Sequence, residues 1–448
     1  MSHPISRLIT RVAYGASQLP RVAWYVGHSL ALRQLAEATR RREAQKRRPQ
    51  AHTNAPVPDR NRIYADMAKL FLQDLANVEK GIYPLPADHD GSLCTLLHRS
   101  RLFFEDLPEI HRRRERGAHN EVLTKEIRGK RPRYYLQNFH FQSGGWMTDD
   151  SAERYDTQVE VLFNGTANAI RRQALPQLRE VFAGRDQRKL RLLDIGCGTG
   201  RFLDFLKQAW PRLPILGLDM SEAYIRHAKR HLMRWSRTGF VVGKAEATPL
   251  PDNSQDAVTN IFLFHELPPK VRRIAFRECA RVLKPGGRLV LVDSLQRGDQ
   301  PDYEGLLDLF PQNYHEPYYE SYTIEEGLTE RGVHRIQLAA DGIPVARLAE
   351  RGIQLRHDRG LDIEARGAGA CVEHFLVEII VHHALDVGDL HAAELSARRL
   401  GREIDHTPRV TGRVDVGDIL RHHAQRRAVG LDCGQSAVKN AVEGHGKC

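Results

Sequence analysis

The sequence predicts an α/β protein built on a doubly wound, mostly parallel sheet, with an N-terminal helical extension and an irregular C-terminal extension. Three observations predict it. The apolar run Leu190, Leu192, Leu193, Ile195 suits a central parallel strand, and it empties into a turn containing Gly196, Gly198 and Gly200. Short apolar segments then alternate with amphipathic ones as far as Asp293. The stop signal Lys284-Pro285-Gly286-Gly287 falls between the last amphipathic segment and the last apolar one, as expected where a helix hands over to a strand.

Each element follows in order. The glycine turn leads into Arg201-Phe202-Leu203, the first turn of a helix whose free N–H groups point back at the turn and suit electron-rich ligand atoms. Pro214 to Met220 reads as a second strand ending in Asp219, a carboxylate placed to accept hydrogen bonds from ribose hydroxyls. A helix from Glu222 to Met233 returns the chain, and Phe240 to Glu246 is the third strand and its turn. Asp256 to Leu267 carries the fourth strand into Phe264-His265-Glu266-Leu267. Arg272 to Leu283 is an amphipathic helix with Ile274, Cys279 and Val282 on its apolar side, and Arg288 to Asp293 is the fifth strand. Ligands of such sheets bind at the carboxyl ends of the strands near the switch point, where the glycine turn, Asp219, Glu246 and the His265-Glu266 pair all fall.

A dinucleotide site would show G-x-G-x-x-G with an acid about twenty residues on. Here the spacing is G-x-G-x-G, with Asp194 two residues before the first glycine. Leu-Leu-Asp-Ile-Gly-Cys-Gly-Thr-Gly, the acid after the second strand, the fourth-strand segment and Leu-Lys-Pro-Gly-Gly-Arg-Leu together resemble the class I S-adenosylmethionine-dependent methyltransferases, methyltransferase type 11, close to the ubiquinone and menaquinone C-methyltransferases. The resemblance covers residues 190–296 well, the segment before them partly and the termini not at all. It implies a Rossmann-like seven-stranded sheet with an antiparallel last strand and S-adenosyl-L-methionine as cofactor. It implies binding by Asp194, Gly196, Cys197, Gly198, Thr199, Gly200, Asp219, Met220, Ala245, Glu246, Asn260 and Ile261. The chain departs from the family pattern at Lys244, where an Asp is usual, so adenine recognition falls to the Ala245 backbone, Glu246 or packing. Cys197 at a helix start could be an activated thiol, but a small packing residue is the better expectation.

Methyl transfer from a sulfonium needs mainly positioning and the exclusion of water, with a base only where the acceptor carries a proton. His265 is the leading candidate base, Glu266 the second, and both compete with a purely structural role. Before the fold, Tyr134 to Trp146 concentrates aromatic residues around Gly144-Gly145, and Ser151 to Arg172 reads as one helix presenting Tyr155, Val159, Leu162 and Phe163. The resemblance implies a lid there. Tyr155 and Trp146 are the better site candidates, and His140 is expected to be structural.

Four regions result: a basic amphipathic segment and linker at 1–60, an N-terminal helical lid region at 61–150, the methyltransferase domain at 151–345, and an extension at 346–448. The formal net charge of +11 is concentrated at 1–48, where no acid precedes Glu37. There Ile5, Leu8, Ile9 and Val12 form one apolar stripe, expected to dock on the protein's own core in preference to an anionic membrane surface. The six cysteines form no C-x-x-C pair and no run reaches the ~20 apolar residues of a membrane span, so a cytoplasmic protein is expected. Beyond Tyr322 the one aromatic is Phe375 and methionine is absent, which suggests that from about Gly327 the end of the fold is replaced by sequence not selected for it. The pairs His382-His383 and His422-His423 are not read as a metal site, since adjacent side chains point to different faces, and no metal is expected. The expected activity is methyl transfer to a small-molecule or lipid-like acceptor. An RNA methyltransferase and a non-catalytic S-adenosylmethionine-binding protein are the alternatives, and no nucleic-acid module or partner is recognised.

Overall fold

A computed structural model describes residues 4–42, 51–125, 127–325, 334–338 and 344–347, all within the first of two units of the chain, Met1–Asp358. Phe375, the histidine pairs and nearly all of the 346–448 extension lie outside the described residues. Helices α1 (Pro4–Arg42), α2 (Arg60–Glu79), α3 (Leu93–Arg116), α4 (Asp149–Leu162), α5 (Ala167–Arg172) and α6 (Leu175–Phe182) precede the sheet. Then come β1 (Leu192–Ile195), α7 (Arg201–Ala209), β2 (Ile215–Asp219), α8 (Glu222–His231), β3 (Thr238–Val242), β4 (Gln255–Ile261), α9 (Pro269–Val282) and β5 (Leu283–Asp293). Helices α10 (Glu304–Asn313) and α11 (Tyr319–Thr323) and strands β6 (His334–Leu338) and β7 (Pro344–Arg347) follow.

The strand order is β3-β2-β1-β4-β5-β6-β7. Strands β1 to β6 pair in parallel and β7 is antiparallel to β6. The order reverses between β1 and β4, and the crevice outside their carboxyl ends is where ligands of such sheets bind. Alternating side chains divide the core. Leu192, Ile215, Ala257, Val290 and Val292 pack on one face with α6 and α7, while Leu193, Ile195, Val258, Leu289 and Leu291 pack on the other with α9.

The structure changes four expectations. The sheet continues at His334–Leu338 and Pro344–Arg347, so the fold is not interrupted at Gly327 for these nine residues. Lys284-Pro285-Gly286-Gly287 does end α9, but it opens an eleven-residue β5, with a register shift against Gln255 and Ala257 absorbing the irregularity. The expected helix from Ser151 to Arg172 breaks at Asn164 (φ 51°) and Gly165 (φ 84°). There Val22 of α1 crosses so closely that a Cβ on Gly165 would lie 3.0 Å from its Cα. Finally, α1 docks on the body only in part. Arg11 pairs with Glu79, His28 bonds Ser100, and Ser29 donates to the Val161 carbonyl, yet Ile5, Leu8, Ile9 and Val12 of the apolar stripe stay exposed. Among the described residues, no helix is long and apolar enough to cross a membrane.

Candidate active site

At the switch point lies a cleft walled largely by aromatic and apolar side chains, as small-molecule sites are. Its floor is Gly196 and Gly198 after β1, Leu218, Asp219 and Met220 at the end of β2, Gly243 and Ala245 after β3, and Ile261, Phe262 and Leu263 at the end of β4. Its roof is Tyr134, Tyr135, Phe139, Trp146, Tyr155 and Tyr224, with Glu266 and Leu267 at one side.

Glycine is required in the turn for two different reasons. At Gly196 (φ 70°) a Cβ would press to 2.9 Å against Leu263, which closes the β1 turn onto the end of β4. At Gly198 (φ 53°) a Cβ would meet nothing nearer than the Tyr155 ring at 3.9 Å and would project into the cleft. Asp219 braces the turn, one oxygen accepting the Gly198 N–H at 2.9 Å and the other the Ser221 N–H at 2.8 Å. Burial raises its carboxyl pKa, and those backbone N–H groups hold part of the rise back.

The lid is tied to this floor by named contacts. Asp156 of α4 accepts from Thr199 Oγ1 at 2.8 Å and from Arg201 Nε at 2.9 Å. Burial alone would raise the Asp156 carboxyl, but Arg201 and Arg171 hold it well below its ordinary range. Tyr134 donates to both Glu246 oxygens at 2.9 and 3.0 Å. Phe139 and Trp146 stack at 4.3 Å, and Tyr155 meets Tyr224 edge-on at 5.3 Å.

Of the residues singled out from sequence, Gly196, Gly198, Asp219, Met220, Ala245, Ile261, Tyr155, Trp146 and Glu266 line the cleft. Others support it from behind. Asp194 is buried in the sheet and accepts from Thr259 at 2.6 Å, Thr199 and Gly200 open α7, and Glu246 anchors Tyr134. Asn260 donates to the Ile195 carbonyl at 2.6 Å, across β1 and β4. Cys197 packs in the core, its Sγ 2.8 Å from where a Cβ on Gly217 would sit, and burial drives its thiol well above the ordinary range. Burial and a raised pKa are the opposite of what activates a thiol.

His265 turns inward instead of lining the cleft. Its Nδ1 lies 2.5 Å from Asp293 and its Nε2 3.6 Å from Glu266. Burial opposes its charge, while Asp293 and Glu266 raise its pKa, and both ring nitrogens face these carboxyls from behind the cleft wall. Burial, with the nearby Glu316, pushes the Glu266 carboxyl up to about 8. Sequence reasoning missed Tyr224, Phe262 and Leu263. A tyrosine inside a helix carries no local signal of facing a ligand, whereas Phe262 and Leu263 follow a strand end and had that position as their signal.

Asp194 offers a clean test of the floor's electrostatics. Burial raises its carboxyl to about 7, with the Thr259 hydrogen bond opposing. The unfolded chain releases this proton near the ordinary aspartate value of 3.8 and the folded chain only near 7, so stability falls as pH rises across that window. Asp194→Asn keeps an acceptor for Thr259 and is expected to flatten that slope, measured by urea unfolding from pH 4.5 to 7.5. An unchanged slope would show that Asp194 ionises normally.

The comparisons with known proteins fall on this floor. Residues 192–287 match the model of a methyltransferase domain. The chain is 42% identical over 99 residues to a malonyl-(acyl-carrier protein) O-methyltransferase of Methylococcus capsulatus, covering 22% of this chain and 35% of that protein. It is 35% identical over 147 residues to a demethylmenaquinone methyltransferase of Thermotoga maritima, covering 33% and 59%. It is 27% identical over 186 residues to a fatty-acid O-methyltransferase of Mycolicibacterium smegmatis, covering 41% and 66%. The chain thus spans less than two thirds of each of these relatives.

Proposed function

We propose that this chain, whose residues 192–287 match the model of a methyltransferase domain, is a class I S-adenosylmethionine-dependent methyltransferase that transfers the methyl group to a small-molecule or lipid-like acceptor. The observation that carries this reading is one cleft whose floor is the glycine turn and Asp219 and whose roof is six aromatic rings. The similar proteins named above bear on malonyl, menaquinone and fatty-acid chemistry, which supports an acceptor of that size and polarity.

The residues present fit the cofactor. Gly198 leaves open space that a Cβ would fill, Asp219 stands at the end of β2, and Ala245 offers backbone beside an apolar wall. When bound, S-adenosylmethionine supplies a methyl on a sulfonium with a neutral thioether leaving group. Gly198 lets the backbone approach it, and Asp219 presents its carboxyl to the ribose side. Tyr155 and Trp146 exclude water and turn π faces toward positive charge. Glu266 is the carboxyl that reaches the acceptor, with His265 and Asp293 fixing its position from behind. Tyr155, also in the cleft lining, offers its phenol as a second polar group for orienting an acceptor.

Incubation of the full chain with labelled S-adenosylmethionine and fractionated extracts tests this reading. Label is expected in the lipid or small-molecule fraction, whereas label in RNA, or binding with no transfer to any fraction, would overturn it. Replacing Asp219 by alanine is expected to weaken S-adenosylmethionine binding by about 10- to 100-fold, roughly 1.4 to 2.8 kcal/mol, measured by calorimetry.

The reading also places the protein in the cytoplasm, touching anionic membranes through the start of α1. The exposed Ile5, Leu8, Ile9 and Val12 form an apolar face in a segment that lacks acids. Co-sedimentation with phosphatidylserine vesicles, lost in Ile9→Asp, is the expected result. Sedimentation equal to that of neutral vesicles would remove this element.

A further inference from the structure

Beside the cleft, three segments distant in sequence bring His140, Glu266 and Glu316 together, with one ligand atom from each within 4.8 Å of the others. His140 comes from the aromatic segment before α4, Glu266 from the turn after β4, and Glu316 from the connection between α10 and α11. The Glu316 side chain is fully buried, and Glu266 is more than nine-tenths buried.

These carboxylates are only partly satisfied by the protein. Neither oxygen of Glu316 has a hydrogen-bond partner, nor does Oε2 of Glu266. Glu316 Oε1 lies 2.8 Å from His140 Nε2 without the alignment of a hydrogen bond. Buried carboxylate oxygens without partners are costly, and proteins keep them where a ligand completes them. Two carboxylates and one imidazole converging on one point form a donor set that a divalent cation accepts once the carboxylates are ionised and the imidazole is neutral.

We propose that His140, Glu266 and Glu316 bind a divalent transition-metal ion of the Zn²⁺ or Mn²⁺ type next to the cleft. One imidazole and two carboxylates are the donors such ions accept, whereas Mg²⁺ prefers an all-oxygen shell. Three protein ligands leave at least one coordination position open, and Glu266 lies in the cleft wall, so the ion is placed to hold an oxygen of an acceptor. Metal binding itself does not depend on the proposed methyl transfer. The acceptor role does rest on that reading, and the experiment reads binding directly so that the two can fail separately. Sequence reasoning expects no metal because these ligands form no spaced motif and meet only in the fold.

The full chain, treated with chelator and dialysed, is titrated calorimetrically with ZnCl₂, MnCl₂ and MgCl₂. Uptake of about one equivalent of Zn²⁺ or Mn²⁺ is expected, with affinity lowered at least about tenfold in both Glu316→Gln and His140→Ala. No stoichiometric uptake, or uptake surviving both substitutions, overturns the proposal, the latter because it locates binding on other histidines. Circular dichroism confirms that the near-isosteric Glu316→Gln folds. A second readout needs no variant: Zn²⁺ or Mn²⁺ is expected to raise the wild-type melting temperature and Mg²⁺ to leave it unchanged, and no rise with either transition metal overturns the site.

Discussion

Replacing Gly198 by valine is expected to abolish measurable binding of S-adenosylmethionine while the chain still folds. The added side chain would point into the cleft, since a Cβ there meets nothing nearer than the Tyr155 ring at 3.9 Å. A left-handed conformation for a branched residue costs about 1–2 kcal/mol, which a domain of this size survives. The lost space costs more. A drop in affinity of at least about 100-fold, near 2.8 kcal/mol, is the expected calorimetric result. Gly200→Ala is the contrasting control, because a Cβ there collides with Leu232 and Ala228, in the packing between α7 and α8. That variant should lower the melting temperature more than Gly198→Val does. Unchanged cofactor affinity in Gly198→Val would falsify the placement of the site.

Arg172→Ala is expected to be among the most destabilising single substitutions in the described residues. Arg172 is fully buried, and its guanidinium bonds Asp74 through Nη2 at 2.7 Å and Nε at 3.0 Å, and Asp88 through Nη1 at 2.9 Å. Asp74 also accepts from Tyr14 and Tyr83, each at 2.6 Å. Removing the cation would strand a buried carboxylate, a loss of about 3–5 kcal/mol. It would also loosen α1 and α2 from the body, since Tyr14 lies on α1 and Asp74 on α2. The melting temperature should fall by roughly 6 °C or more. Arg172→Met would strand the same carboxylate, so similar stability in both variants would identify lost charge pairing as the cause. A change under about 1 kcal/mol in either would show that this buried pairing contributes little to stability.

The parallel strands were legible because their signals are local. Leu192 to Ile195 is an apolar run of strand length, Gly196 to Gly200 is a turn that only small residues fit, and Asp219 closes the next strand. The helix break at Asn164-Gly165 was not legible, because the reason for it is Val22 of α1, far away in sequence. Residues on the floor of the cleft were mostly anticipated, while the assignment of roles was not. His265 follows β4 where a base is expected, yet Asp293 at the end of β5 turns its ring inward. His140 reads in sequence as a structural histidine, and Glu316 carries no signal at all.

The amino-acid sequence by itself determined the first five strands, their switch point and the glycine turn, while the cofactor class was implied by a family resemblance. The strands, the switch point and the turn depend on residue spacing within a few turns or one strand, where backbone geometry dictates which face a side chain takes. The tertiary structure alone decided which side chains reach the cleft, which are braced behind it, and that His140, Glu266 and Glu316 share one buried corner. Burial and the electrostatic neighbours of an ionisable group are set by chain segments distant in sequence, and they exist only once those segments have packed.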